Sequence, residues 1–309
     1  MKCGKTTLCL GLTLLASLCL ATSLRGQAPA QPRGDRDQLP RPVYRVAETN
    51  KAQPSKIEEE ATAKVANQPA AKSADAQNEH PLTPALMIAK STLQNIETNI
   101  RDYSCTMVKQ ERIDGKLGDK EYMFLKVRQK PFSVYMYFLG PDKVKGQEVI
   151  FFPDKNKGQM QAHGVGLRKA IGMVTLDPHG IIAMNGQRYP INEIGIHNLT
   201  NRLIERAEGD MKYGECEVKF FKGAKINGRV CTCIQVMHPV PRKNFLFHKA
   251  LVFVDDELQI PVRYEAYEWP TPPGDKAPLL EEYTYLNVKL NNGFTDADFD
   301  DKNPNYKFH

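Results

Sequence analysis

Residues 121–140 read EYMFLKVRQKPFSVYMYFLG, and this stretch decides the fold class. Two strand-like runs flank the break at Lys130-Pro131. Positions 122–125 and 134–139 are apolar on both faces of their strands, whereas a half-solvated strand alternates apolar with polar residues. Strands of this kind need cover on both sides. We therefore expect a large sheet with helices packed against it.

Strand-like runs continue on both sides of this stretch. Asp114-Gly115 and Asn227-Gly228 are turn pairs that favour tight hairpins, so the order predicts an antiparallel meander. A Gly-rich stretch, 158–195, divides the strands into two groups, and no strand is predicted within it. The nine predicted strands are 105–113, 120–129, 132–139, 147–152, 217–221, 229–238, 249–255, 261–269 and 281–290.

Two amphipathic helices accompany the strands. Thr83 is a predicted N-cap with Pro84 at the first helical position. The apolar residues that follow at helical spacing are Leu86, Ala89, Leu93, Ile96 and Ile100 in the first helix, and Leu199, Leu203, Ala207 and Met211 in the second. The fold class is α+β, with a large curved antiparallel sheet or barrel, and the strands that are apolar on both faces favour a curved sheet with a helix in its concavity.

The N-terminal region has the composition of an export signal followed by a linker. Lys2 and Lys5 precede an apolar run, 8–20, and small residues at Gly26 and Ala28 suit a cleavage site. An uncleaved anchor is the alternative, but the run is short for a membrane span. The expected organisation is a signal peptide at 1–28, a disordered linker at 29–80 and one domain at 81–309.

Export would leave four cysteines, an even number in an oxidising compartment. If Asn227-Gly228 closes a hairpin, Cys231 faces Ala224 and Cys233 faces Lys222. Two disulfides, one or none remain open for Cys105, Cys216, Cys231 and Cys233.

Charge and motifs exclude several functions. The net charge of +6 is spread along 309 residues, without the dense basic patch of a nucleic-acid-binding protein. The histidines are scattered and show no spacing typical of a metal site. The acidic run 296–301 lacks the Gly and the Glu that a calcium loop requires, so we interpret it as a short helical turn capped by Thr295. We expect no enzyme activity, no metal and no cofactor.

Several longer segments resemble a known family. They are YSCTMVKQERIDGKL (103–117), GQEVIFFPD (146–154), RYPINEIGIHNL (188–199), IPVRYEAYEWP (260–270) and YTYLNVKLNNGFTDADFD (283–300). The sequence resembles the periplasmic lipoprotein-carrier superfamily of LolA, LolB and RseB-like proteins, and more closely an exported domain-of-unknown-function family of planctomycete-type bacteria. The resemblance implies a strongly curved antiparallel sheet that forms an incomplete β-barrel, with helices as a lid over an apolar hollow.

The functional hypothesis is an exported, non-enzymatic protein of the periplasm or cell envelope that holds a lipid, an acyl chain or a lipidated protein in this hollow. We expect a monomer, with envelope proteins as further partners and no nucleic acid. The alternative is a scaffold or sensor of the same fold with a filled core. The predicted ligand contacts are Leu86, Leu93, Ile96, Phe124, Met136, Phe138 and Phe151.

Overall fold

The structure is a computed structural model that describes residues 79–308. The predicted signal peptide, 1–28, and all but the last two residues of the predicted linker, 29–80, lie outside the described residues.

The helices are α1 (Thr83–Asn99), α2 (Pro153–Asn156), α3 (Ile181–Met184) and α4 (Ile196–Asp210). The strands are β1 (Asp102–Ile113), β2 (Lys116–Leu117), β3 (Glu121–Arg128), β4 (Ser133–Gly140), β5 (Glu148–Phe151), β6 (Met160–His163), β7 (Met173–Leu176), β8 (Glu217–Ile226), β9 (Arg229–Met237), β10 (Lys249–Asp255), β11 (Pro261–Tyr267) and β12 (Leu279–Leu290).

All twelve strands belong to one antiparallel sheet, which confirms the predicted α+β class. Its order is β7-β6-β5-β4-β3-β1-β12-β11-β10-β9-β8, with β2 paired to β1. The sheet is not closed into a barrel, because β7 and β8 are left as its edges. The prediction missed β2, β6 and β7, which are two to four residues long and too short to show a clear period of two.

Tight turns close the predicted hairpins. Asp114 and Gly115 have φ of 49° and 75°, and Asn227 and Gly228 have φ of 49° and 76°. Two consecutive residues with positive φ are the geometry of the turn that matches the twist of antiparallel strands. The two turn pairs are therefore confirmed as hairpin connections.

The β8–β9 hairpin corrects one predicted register. Cys231 lies opposite Ala224, as predicted, but Cys233 lies opposite Phe221 instead of Lys222. A β-bulge between Phe221 and Ala224 places extra residues on β8 and shifts the pairing beyond it. Of the three possibilities, the structure has no disulfide among the described cysteines. Free thiols are found at Cys105, Cys216, Cys231 and Cys233.

Helix α1 begins one residue earlier than predicted, with Leu82 and not Thr83 at the N-cap position and no side-chain cap. Its buried residues are Ala85, Thr92 and Ile96, and the helix packs against α4. Of the predicted stripe, Ile96 and Ile100 are buried, whereas Leu86, Ala89 and Leu93 are half-buried. A narrow space of about 70 Å³ remains between α1, α4 and the strands below.

We call the sheet face that carries Met107, Met123 and Met136 the inner face, and the opposite one the outer face. Alternate residues of β3 point to opposite faces, so Lys126 and Arg128 lie on the outer face. The chain after β12 returns over this face, and buries its aromatic residues there. They are Phe299, Tyr306 and Phe308.

The outer cover was not predicted from the sequence. It explains why both faces of β3 and β4 are apolar: α4 and residues 178–195 face the inner side, and residues 294–308 cover the outer side. We call residues 294–308 the C-terminal segment. Among residues 79–308, no helix is both long enough and apolar enough to cross a bilayer.

Candidate functional site

A cavity of about 620 Å³ lies between the inner face of the sheet and α4. Its floor is formed by β1 and β3 to β6 on one side and by β9 to β12 on the other. Helix α4 and the segment 178–195, which we call the lid segment, form its roof. The volume is within the range of about 300–1,000 Å³ that is common for small-molecule pockets.

Four methionines form a stripe across the floor of this cavity. Met107 is on β1, Met123 on β3, Met136 on β4 and Met160 on β6, and each is buried. Met107 lies directly opposite Met123 in the β1–β3 ladder. Methionine side chains are unbranched and polarisable, so they fit irregular apolar partners at small cost. We call this set the methionine stripe.

The roof uses a helix that the sequence had identified. Leu199, Leu203 and Ala207 are three of the four apolar positions predicted for the second helix, and all three line the cavity. Helix α1 contributes only Leu82, which precedes its first residue.

The lid segment is not among the predicted elements, because it lies in the Gly-rich stretch 158–195, where no strand is predicted. Tyr189, Ile191 and Ile194, which precede α4 and line the cavity, were the apolar signal that could have placed it.

The junction between the lid segment and α4 is fixed by Gly195 and Tyr103. Gly195 has φ of 108°, and a Cβ at this position would lie 2.8 Å from the Tyr103 hydroxyl. The backbone N–H of Ile196 donates a hydrogen bond of 3.0 Å to the same hydroxyl. Only glycine tolerates both this backbone conformation and the close approach to Tyr103. The hydrogen bond from Ile196 then holds the start of α4 on β1. Burial raises the pKa of Tyr103 well above its usual value, so it stays a neutral partner.

One end of the cavity is polar and links the lid segment to the sheet. The Arg188 backbone N–H donates to Glu111 at 3.0 Å, and its Nε donates to Glu281 at 2.8 Å. The Tyr283 hydroxyl donates to Glu111 at 2.5 Å. Burial raises the pKa of Glu281, an effect that the Arg188 charge opposes, and burial raises the pKa of Tyr189 to about 12. The lid segment is therefore held by buried charged and phenolic groups.

Two of the seven residues predicted as ligand contacts line this cavity: Met136 and Phe138. Phe151 is also buried on the inner face, where it pairs with Val134 in the ladder. Its ring packs against Phe132, with centroids 6.2 Å apart, outside the cavity lining.

The other four lie elsewhere. Ile96 lines a separate recess at the end of the sheet. Leu86 and Leu93 are half-buried on α1, and Phe124 is buried on the outer face, opposite Tyr137 of β4. All seven remain predictions as ligand contacts, and the structure brings only Met136 and Phe138 to the cavity.

The acidic run near the C-terminus has a structural role. Thr295 caps the 3₁₀ turn Asp296–Phe299, and its backbone N–H donates to Asp298 at 3.0 Å, as the sequence predicted. Asp298 also pairs with Lys126 at 2.8 Å. In the part of the chain that the structure describes, no group of three or more His, Cys, Asp or Glu residues is arranged to hold a metal ion.

The family model for proteins of unknown function DUF1571 matches residues 100–308. The chain belongs to the DUF1571 family. The DUF1571 region starts just before β1 and contains every strand, α4 and the lid segment, so it supplies the whole cavity wall except Leu82. A comparison with curated proteins gives no match.

Solved structures similar to this DUF1571 protein include the Mycobacterium tuberculosis lipoprotein LppX, at 14% identity and TM-score 0.39, covering 69% of this chain and 98% of that one. The Pseudomonas aeruginosa MucA/MucB complex matches at 13% identity and TM-score 0.36, covering 69% and 60%. The LolA superfamily protein NE2245 from Nitrosomonas europaea matches at 11% identity and TM-score 0.26, covering 69% and 97%. The likeness is one of fold. The match to DUF1571 agrees with the resemblance of the sequence to a domain-of-unknown-function family.

Proposed function

We propose that this protein binds an amphiphile, namely a lipid, an acyl chain or the lipidated end of a protein, in the cavity beneath α4. The observation that carries the proposal is the apolar cavity of about 620 Å³ with its methionine stripe. The protein acts by binding, without catalysis, as an exported protein of the periplasm or cell envelope.

The energetics support this choice. Transfer of an acyl chain from water into an apolar site is favourable by about 0.8 kcal/mol per CH₂ group. An apolar floor of methionine, valine and phenylalanine side chains gives this gain without any special chemistry, and the methionines adjust to the shape of the chain.

The alternative, a scaffold or sensor with a filled core that binds protein partners, has less support because the space beneath α4 is not filled by side chains. A native mass spectrum of the protein purified from its own host separates the two. A co-purifying lipid supports the amphiphile proposal, and bare protein favours the scaffold.

A titration provides the direct test. Delipidated protein is titrated with a fluorescent long-chain alcohol, a fluorescent fatty acid and a synthetic lipopeptide. Saturable binding of at least one of them is expected. Leu199→Trp should lower the affinity at least about tenfold by filling the cavity from the roof, because Leu199 lines it. Val230→Trp, at an exposed position on β9, is the matched control. No saturable binding of any probe would contradict the proposal.

A further inference from the structure

Eight of the nine charged side chains that line the cavity have an oppositely charged partner. Lys109 Nζ lies 3.1 Å from Glu121 and 3.7 Å from Glu111. Arg188 Nε lies 2.8 Å from Glu281. These pairs are buried or nearly so, with side-chain exposure between 5% and 27%. The two cations at the polar end, Lys109 and Arg188, therefore both have carboxylate partners, so this end offers no unpaired cation to an anionic head and carries one more carboxylate than it has cations.

The same holds along α4. Arg206 pairs with Asp210 at 3.0 Å, one helical turn further along, and Arg202 pairs with Glu193 of the lid segment. The Arg202 guanidinium also stacks over the Tyr189 ring, 3.8 Å from its centroid. Each of the four cations that line the cavity, Lys109, Arg188, Arg202 and Arg206, thus has a carboxylate partner.

Four of the five carboxylates that line the cavity, Glu111, Glu193, Asp210 and Glu281, have partners as well. Glu111 accepts from the Tyr283 hydroxyl and the Arg188 backbone, and Glu281 accepts from Arg188 and, at 3.3 Å, from the Tyr189 hydroxyl. Glu205 is the fifth lining carboxylate and is exposed on α4.

An ionised ligand head in such a site must displace an existing partner or be buried without one, and both are costly. A neutral head can exchange hydrogen bonds with hydroxyl and amide groups while the ion pairs stay intact. We propose that the part of the amphiphile that enters the cavity carries no net charge, so the site selects hydroxyl, ester or amide heads over carboxylates and ammonium groups. This inference rests on the proposed function.

A matched ligand series tests it. Hexadecanol, methyl palmitate, palmitate and hexadecyltrimethylammonium, all below their aggregation concentrations and near pH 8, compete with a fluorescent neutral acyl probe. The alcohol and the ester should bind at least about tenfold more tightly than both ions. Palmitate binding as tightly as hexadecanol would overturn the inference, because the head would then lie in solvent or meet a free cation.

A variant pair tests the cause. Glu281→Gln leaves Arg188 without its carboxylate, so the preference for hexadecanol over palmitate should fall at least about fivefold. Glu193→Gln, on the half-exposed pair with Arg202, provides a second variant if the first does not fold. Glu215→Gln breaks the exposed pair with Arg242, away from the cavity, and should leave the preference unchanged.

The failure modes are distinct. An unchanged preference in the folded Glu281→Gln and Glu193→Gln proteins would overturn the inference, although the cavity would still bind acyl chains. Absence of binding by every member of the series would remove the proposed function and the inference with it.

Discussion

The ring of Tyr135 on β4 stacks on the ring of Tyr306, with centroids 3.9 Å apart and planes 8° apart. The pair lies beside Lys126, whose Nζ is within 6 Å of both ring centroids and is fully buried. The C-terminal segment is therefore part of the packed outer side of the sheet. Its aromatic residues cover strands that would otherwise expose an apolar surface.

Removal of the Tyr306 ring should destabilise the protein strongly. Tyr306→Ala is expected to cost about 3–4 kcal/mol of unfolding free energy, the usual range for a buried aromatic residue. Tyr306→Phe keeps the stack and loses the 2.6 Å hydrogen bond to the Asp298 carbonyl, at about 1 kcal/mol. Urea denaturation measures both. Equal losses would mean that the hydrogen bond, and not the stacking, holds the C-terminal segment.

The buried pair of Lys126 and Asp298 should respond asymmetrically to substitution. Burial lowers the pKa of Lys126, and Asp298 at 2.8 Å opposes this effect. Asp298→Asn leaves an ammonium group buried without its carboxylate, so about 3 kcal/mol should be lost. Lys126→Met should cost less, because Asp298 is partly exposed and can be solvated. Chemical denaturation of the two variants checks the order, and a larger loss for Lys126→Met would contradict it.

Glu148 should make stability depend on pH. Burial raises its pKa above the ordinary 4.5, although the Lys307 backbone N–H, 3.0 Å away, opposes the shift. The folded state then holds the proton more tightly than the unfolded state, so the stability contributed by this group falls as pH rises from 4.5 through the raised folded pKa. Denaturation at several pH values should show this fall in the natural protein, with a smaller fall in Glu148→Gln. If the stability of the natural protein and of Glu148→Gln changed with pH in parallel, the pH dependence could not be assigned to Glu148.

Ligand binding should protect the methionine stripe from oxidation. Dilute peroxide converts accessible methionine to its sulfoxide. A bound acyl chain should slow oxidation of Met107, Met123, Met136 and Met160 by about fivefold, because it occupies the space that they line. Met87 on α1 is 67% exposed and should react at the same rate with or without ligand. Peptide mass mapping measures each site, and equal protection of Met87 would indicate a nonspecific effect.

The four described cysteines should be free but slow to react. Burial raises the pKa of Cys216 to about 11 and that of Cys231 and Cys233 to about 12, so few thiolates are present near neutral pH. Iodoacetamide near pH 8 should label half-buried Cys216 slowly and the others hardly at all. In urea without reductant, all four should react. A cysteine that is labelled only after reduction would reveal a disulfide.

Much of the fold follows from local sequence signals. The turn pairs Asp114-Gly115 and Asn227-Gly228 favour positive φ wherever they occur, and long strands such as β1 and β12 show their period clearly. The bulge that moves Cys233 opposite Phe221 contains Gly223, whose φ is 73°. A glycine inside a strand is a local signal for a bulge, and the predicted register did not use it. The four-residue strands β6 and β7 gain their structure from the neighbouring ladder and not from their own sequence.

The candidate site could be predicted only in part. The period of α4 identified Leu199 and Leu203, and the double apolar runs identified Met136 and Phe138. Which helix covers which part of the sheet depends on tertiary packing, so α1 was assigned to the lid although the roof is α4 and the lid segment. Phe124 was included because strands that are apolar on both faces do not reveal which face is the inner one.

The methionine stripe has a consequence for selectivity. Its unbranched thioether chains can change rotamer at little cost, so the floor can reshape around hydrocarbon chains that differ in branching, unsaturation or length. Discrimination by shape would then be weak. A protein with such a floor would accept a mixed pool of cellular lipids and would choose among them by the polarity of the end next to Arg188 and Glu281.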